Sequence, residues 1–140
     1  MIQLIVGEKG KGKTKHLLEH VNNAVSTTMG NIVYLDKNSK HMYELKNKIR
    51  LINASEYPLN NTDEFVGFVC GIVSQDHDLS QMYFDSFMDV AYVKTTDKLA
   101  ELIGKMEKIS DQFTVDFIIS ISLNESELPE NLRQMVIVSL

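Results

Sequence analysis

The sequence predicts an α/β protein, a three-layer α/β/α sandwich around a mostly parallel sheet of about five to six strands. Two observations carry this expectation. Short apolar runs rich in β-branched residues alternate along the chain with segments whose apolar residues recur at helical spacing. No repeat, low-complexity tract or linker interrupts the 140 residues, a length that fits one domain and buries a core without disulfides. Strands alternating with helices imply βαβ units with right-handed crossovers, and so a sheet covered on both faces.

Residues 2–6 (IQLIV) read as the first strand. A glycine-rich turn follows, and then Leu17, Leu18, Val21, Ala24 and Val25 mark a first helix, with Gly30 closing the unit as a C-cap or turn residue. Residues 32–35 (IVYL) form a second strand with Asp36 at its end. Residues 40–47 suggest a short helix with Met42 and Leu45 inward, and residues 50–53 a short third strand. The run FVGFVCGIV has β-branched content, but Asn61 and Glu64 suit a capping box, and Phe65, Val69, Ile72 and Val73 share a helical face. A helix is expected there, with Gly67 and Gly71 allowing close approach to the sheet. Residues 80–85 (SQMYFD) read as a strand ending in an aspartate. Thr96 and Asp97 cap a long helix with the stripe Leu99, Leu102, Ile103, Met106 and Ile109. Residues 114–123 alternate as a strand, and a short helix around Pro129 precedes a last strand, MVIVS.

The net charge of −5 conceals an asymmetry: residues 1–50 sum to +5 and residues 51–140 to −10. A cationic first third suits a bound polyanion, whereas the acidic remainder argues against wrapping around nucleic acid and offers a docking surface for a protein partner. MIQLIV is too short for the apolar core of a signal peptide, and no run approaches the roughly 20 apolar residues of a membrane span. A cytoplasmic setting is expected. The single cysteine, Cys70, reads as a small buried hydrophobe.

Residues 7–14, GEKGKGKT, carry the chemistry. Gly7, Gly12, Lys13 and Thr14 satisfy G-x-x-x-x-G-K-[ST], between a predicted strand and a predicted helix. Glycines let consecutive N–H groups converge on one concavity, and the helix starting near Lys13 adds the positive end of its dipole. The loop Gly7, Glu8, Lys9, Gly10, Lys11, Gly12, Lys13, Thr14, Lys15 is the expected phosphate-binding segment. The amides of residues 9–14 would cradle a β-phosphate. Lys13 would reach the β- and γ-phosphates, and the Thr14 hydroxyl would ligate Mg²⁺, which prefers oxygen donors.

On these residues the chain resembles the P-loop NTPases, and in particular small P-loop ATP-binding proteins of Gram-positive bacteria. The resemblance implies a P-loop NTPase fold, ATP with Mg²⁺ as ligand, and an aspartate at the end of an apolar strand to hold the metal. Asp85, after Met82-Tyr83-Phe84, and Asp36, after Ile32-Val33-Tyr34-Leu35, both fit, and chain order favours Asp85. Ser86 stands where many oligomeric ATPases have a water-activating glutamate, so no general base is assigned; Asp36 and Asp89 are candidates. The guanine-specifying N-K-x-D pattern is absent, which leaves ATP preferred over GTP by default. Glu8 stands where the partition-type variant has a lysine.

Other constellations are weaker. His16 and His20 read as a solvated helix face, Asp76-His77-Asp78 as a polar turn, and Arg50 and Arg133 as surface residues. The basic run 37–50 reads as a solvated helix and turn, and Ser120, Ser122 and Asn124 as polar groups at a strand tip. The expected function is a weak or partner-dependent ATPase in which Lys13 neutralises charge on the transferred group. The alternatives are a non-hydrolysing nucleotide-binding regulatory module and, least favoured for want of an arginine-rich lid, a small-molecule kinase.

Overall fold

The computed structural model describes residues 1–140. Six strands form one sheet: β1 (Ile2–Val6), β2 (Asn31–Asp36), β3 (Ile49–Asn53), β4 (Leu79–Phe84), β5 (Asp116–Ile121) and β6 (Val136–Ser139). Its order is β3-β2-β4-β5-β1-β6 and every pairing is parallel. The helices are α1 (Lys13–Ala24), α2 (Thr62–Ser74), α3 (Phe87–Val90), α4 (Thr96–Phe113) and α5 (Glu130–Arg133). None is long and apolar enough to cross a membrane.

The pleat divides the core in two. Leu4 and Val6 of β1 join the larger cluster with Phe84, Phe117 and Ile119, beneath α2, α3 and α4. Ile5 points the other way and joins Tyr34, Tyr83 and Ile118 beneath Leu17, Leu18 and Val21 of α1. The connections obey one handedness. Those stepping toward β3, through α1 and through Leu45, lie on the smaller-cluster face; those stepping toward β6, through α2, α4 and α5, lie on the other. Consequently all six strands end on the same edge of the sheet, where the loops after β1, β2, β4 and β5 meet.

Local structure follows the expected elements, with several corrections. Asn61 caps α2 by accepting the Glu64 N–H (2.8 Å), but Glu64 Oε1 accepts from the Asn60 N–H (2.7 Å), one residue before the cap. Gly67 and Gly71 do not bring α2 onto the sheet: both are exposed, and a Cβ on either would meet nothing within 4 Å. The buried face of this helix is Phe65, Val69 and Val73, and the glycines lie off it. The close approach occurs instead at Gly30. It does not cap α1, which ends at Ala24 with Val25 as its cap. A Cβ on Gly30 would lie 1.9 Å from Ser80 Oγ and 2.3 Å from the Asp78 carbonyl oxygen.

The cap of α4 is Thr95, one residue before the expected pair, accepting the Lys98 N–H (3.2 Å). The expected helix at 40–47 shrinks to one 3₁₀ turn, Met42–Glu44, because Leu45 alone reaches the core; Met42 points outward. Cys70 is half-buried rather than buried. His20 is not solvated: its Nδ1 lies 2.8 Å from the Tyr83 hydroxyl, and burial holds its pKa below the usual histidine value.

Candidate functional site

Five polar or charged residues are buried, and four of them stand together: Lys13, Asp36, Asp85 and Ser120. Burying charge is unfavourable unless it is paired, so their concentration at the common edge of the sheet marks a built site. Lys13, Asp85 and Ser120 line a cavity of about 430 Å³ whose walls contain no apolar residue, and Asp36 lies behind that lining. Gly10, Gly12, Lys13 and Thr14 form one side, Asp85, Ser86 and Ser120 the floor, and Lys37 and Asp89 the far rim. Its place outside the carboxyl ends of parallel strands is where open α/β sheets hold their ligands.

The loop between β1 and α1 is shaped by two left-handed glycines, Gly10 (φ 83°) and Gly12 (φ 95°). Gly12 stands at the N-cap of α1 and supplies no side-chain cap. The first N–H groups of the helix are thus left facing the cavity, as an anion site requires. Lys13 folds back over the loop and donates to the Glu8 carbonyl (3.0 Å). Burial lowers its pKa, while the nearby Asp85 carboxylate works in the opposite sense.

Asp85 is the hub. Its Oδ1 accepts from the Thr14 hydroxyl (3.2 Å), from Ser120 Oγ (3.3 Å) and from the Ser86 N–H (2.9 Å). Its Oδ2 accepts from the buried Tyr34 hydroxyl (2.9 Å). Burial and this carboxylate both raise the pKa of the Tyr34 phenol, keeping it a donor. Asp36 lies alongside: β2 and β4 pair, and the Asp85 N–H donates to the Leu35 carbonyl (2.9 Å). The Asp36 carboxylate accepts the Lys37 N–H (2.7 Å) and makes no bond to Thr14. Burial, then repulsion from Asp85, raises its pKa above the ordinary carboxylate range. Ser86 sits at φ 53°, a left-handed conformation at the exit of β4 that turns the chain into α3.

Thr14, Lys13 and Asp85 are therefore brought together, with Lys9, Gly10 and Gly12 on the wall. Lys11 and Lys15 are exposed and line no part of the cavity, and Gly7 lies at the loop's start. Glu8 points away, its carboxylate accepting from Asn124 Nδ2 (2.8 Å), so Asn124 ties the loop after β5 to the glycine loop. Ser122 joins Ser120 on the wall. The arginines stay out: Arg133 donates to the carbonyls of Leu128 and Ser126, and Arg50 is exposed on β3.

Asp76-His77-Asp78 is a turn in which Asp76 accepts the Asp78 N–H (2.9 Å). Sequence reasoning missed Tyr34, although a tyrosine in an apolar strand needs a partner for its hydroxyl. It also missed the Lys37–Asp89 ion pair (3.2 Å), which joins two loops far apart in the chain and leaves no local signature.

A divalent cation of the Mg²⁺ type fits this donor set. Thr14 and Asp85 present oxygen donors, the type that hard divalent cations prefer, beside the N-terminus of α1. Comparison with the models of known protein families finds no match. Comparison with curated proteins finds none either.

Proposed function

We propose that the chain is a P-loop ATP-binding protein that holds ATP with Mg²⁺ and hydrolyses it weakly or under the control of a partner. The observation that carries this reading is the Thr14–Asp85 hydrogen bond (3.2 Å) on the floor of a wholly polar cavity at the N-terminus of α1. The N–H groups of the loop and first helical turn would bind the β-phosphate, and Lys13 would swing from the Glu8 carbonyl to the γ-phosphate. Thr14 would ligate the metal directly, and Asp85 would orient its water ligands. The metal, when bound, supplies charge neutralisation at the phosphates. No general base is assigned: Asp89 lines the cavity but is paired with Lys37, and Asp36, its proton affinity raised by burial beside Asp85, lies behind the lining.

Weak or conditional turnover is favoured because Ser86, not an acid, follows Asp85 and because no arginine lines the cavity to stabilise transferring charge. The same two observations support the second reading, a nucleotide-binding module without turnover. The acidic residues 51–140 suit docking of a protein partner, and ATP rather than GTP remains the default base.

Calorimetry with ATP and Mg²⁺, together with a phosphate-release assay, tests the reading. Lys13→Ala is expected to weaken binding about tenfold or more, roughly 1.4 kcal/mol. Asp85→Asn should reduce the Mg²⁺ dependence of binding, whereas Asp36→Asn should not; the reverse pattern would hand the metal role to Asp36. Equal affinity of wild type and Lys13→Ala overturns the proposal. Binding with no release, alone or with cell extract added, hands the chain to the regulatory reading.

A further inference from the structure

A second cavity lies elsewhere. It is a groove of about 530 Å³ on the α2 face of the sheet, between that helix and the edge strand β3. Period-2 alternation places Arg50 and Ile52 on one face of β3, and Lys48, in the turn just before the strand, lines the groove with them. Its apolar wall includes Phe68 and Ile72 of α2 and Tyr57, whose ring packs against Phe68 at 4.9 Å between centroids. Gly71 leaves the helix side open, since nothing lies within 4 Å of where its Cβ would be.

The charges are uneven. Lys48 and Arg50 make no ion pair, and neither side chain makes a hydrogen bond within the protein. Asp76, the one acid on the wall, accepts from Asn31 Nδ2 (2.9 Å) and from the Asp78 N–H (2.9 Å), so its carboxylate is engaged. An apolar wall, two cations without an ion pair, one acid already engaged by Asn31 and Asp78, and a volume within the range of small-molecule sites make a specific combination.

We propose that this groove is a second ligand site, for a small amphipathic anion. A flat apolar body would lie against Tyr57, Phe68 and Ile72, and a carboxylate, sulfonate or phosphate group would reach Arg50 and Lys48. Arg50 presents the planar fork that such oxygens accept from in pairs. The volume favours a small molecule over a protein segment. The groove shares no lining residue with the polar cavity, so its chemistry stands independently of what that cavity holds.

The probe is 8-anilinonaphthalene-1-sulfonate, read by fluorescence and by amide shifts in the folded full-length chain. Saturable binding is expected, with shifts confined to residues lining the groove, on β2, β3, α2 and the start of β4 and in the turns beside them. N-phenyl-1-naphthylamine, the same body without the sulfonate, should bind at least about tenfold more weakly, the discrimination that one charge-assisted contact supplies. The double change Lys48→Gln with Arg50→Gln should erase that difference. Gly71→Leu fills the groove and should weaken both dyes about tenfold. Lys13→Ala should bind them as wild type does. Thermal melts confirm that each variant is folded, and the exposed charge changes stand as the test if Gly71→Leu is not. Equal affinity for the two dyes, indifference to the double charge change, or shifts centred on residues 9–14 each overturn the proposal.

Discussion

At the scale of single residues, the site is organised around one carboxylate that accepts four hydrogen bonds and one that accepts a single one. Asp85 accepts from four donors, Thr14, Ser120, Tyr34 and the Ser86 N–H. Asp36 is as deeply buried but accepts only the Lys37 N–H from the protein. Its pKa is raised by burial first and by Asp85 second. A carboxyl whose folded pKa is raised binds more protons folded than unfolded. Its contribution is favourable below the ordinary carboxylate pKa and is lost as pH rises through the folded value. Asp36→Asn is therefore expected to raise the melting temperature of the nucleotide-free protein at pH 7. The gain should shrink as pH falls toward the carboxylate range, where wild-type Asp36 is protonated. A gain that grows on acidification would contradict this electrostatic account. The sequence offered both aspartates as strand-end acids and favoured Asp85 on chain order alone. What separates them is which one meets Thr14, and that depends on β5 lying between β1 and β4, a pairing that joins residues over a hundred positions apart.

At the scale of elements, glycines with the same sequence appearance do opposite things. Gly30 precedes β2, where the start of β4 crowds it; Gly71 sits on the open side of α2. Gly30→Ala must displace Ser80 and the Asp78 backbone, and overpacking of this kind costs about 1–3 kcal/mol. Gly71→Ala meets no atom and gains helix propensity, so it should stabilise by about 0.5–1 kcal/mol. Chemical denaturation of the two variants checks the pair, and a loss of stability at Gly71 would mean that the groove beside it is closed in solution. Strands and long helices were legible because their apolar spacing is local: Phe65, Val69 and Val73 mark α2 by their spacing alone. The segment after Asp85 was not. Ser86 and Tyr92 adopt left-handed conformations (φ 53° and 59°) that non-glycine residues rarely signal. Tertiary bonds hold that segment, among them the Tyr92 hydroxyl on the Leu59 carbonyl (2.6 Å) and the Thr62 hydroxyl on the Ala91 carbonyl (2.7 Å).

At the scale of the whole molecule, the sheet is graded from centre to edge, and the two cavities sit at different points of that grade. β1, β2, β4 and β5 are each paired on both sides and buried along most of their length. β3 and β6 are the edges, with β6 alternating between half-buried and exposed positions. The polar cavity rests mainly on the ends of central strands, whereas the amphipathic groove leans on the edge strand β3. Native-state hydrogen exchange should reflect this division. Amides of β1, β4 and β5 are expected to exchange only through global unfolding, and those of β3 and β6 through openings that are cheaper by about 1–3 kcal/mol. A ligand that binds only the closed form of a region raises the cost of opening it. ATP with Mg²⁺ should thus slow exchange at residues 9–14 and 85–86 without changing β3. An anion seated on Arg50 and Lys48 should slow β3 and leave residues 9–14 as they were. Protection that spread from either ligand to the other region would show that β2, which runs from the groove at Asn31 to Asp36, just before Lys37 on the cavity rim, couples the two sites.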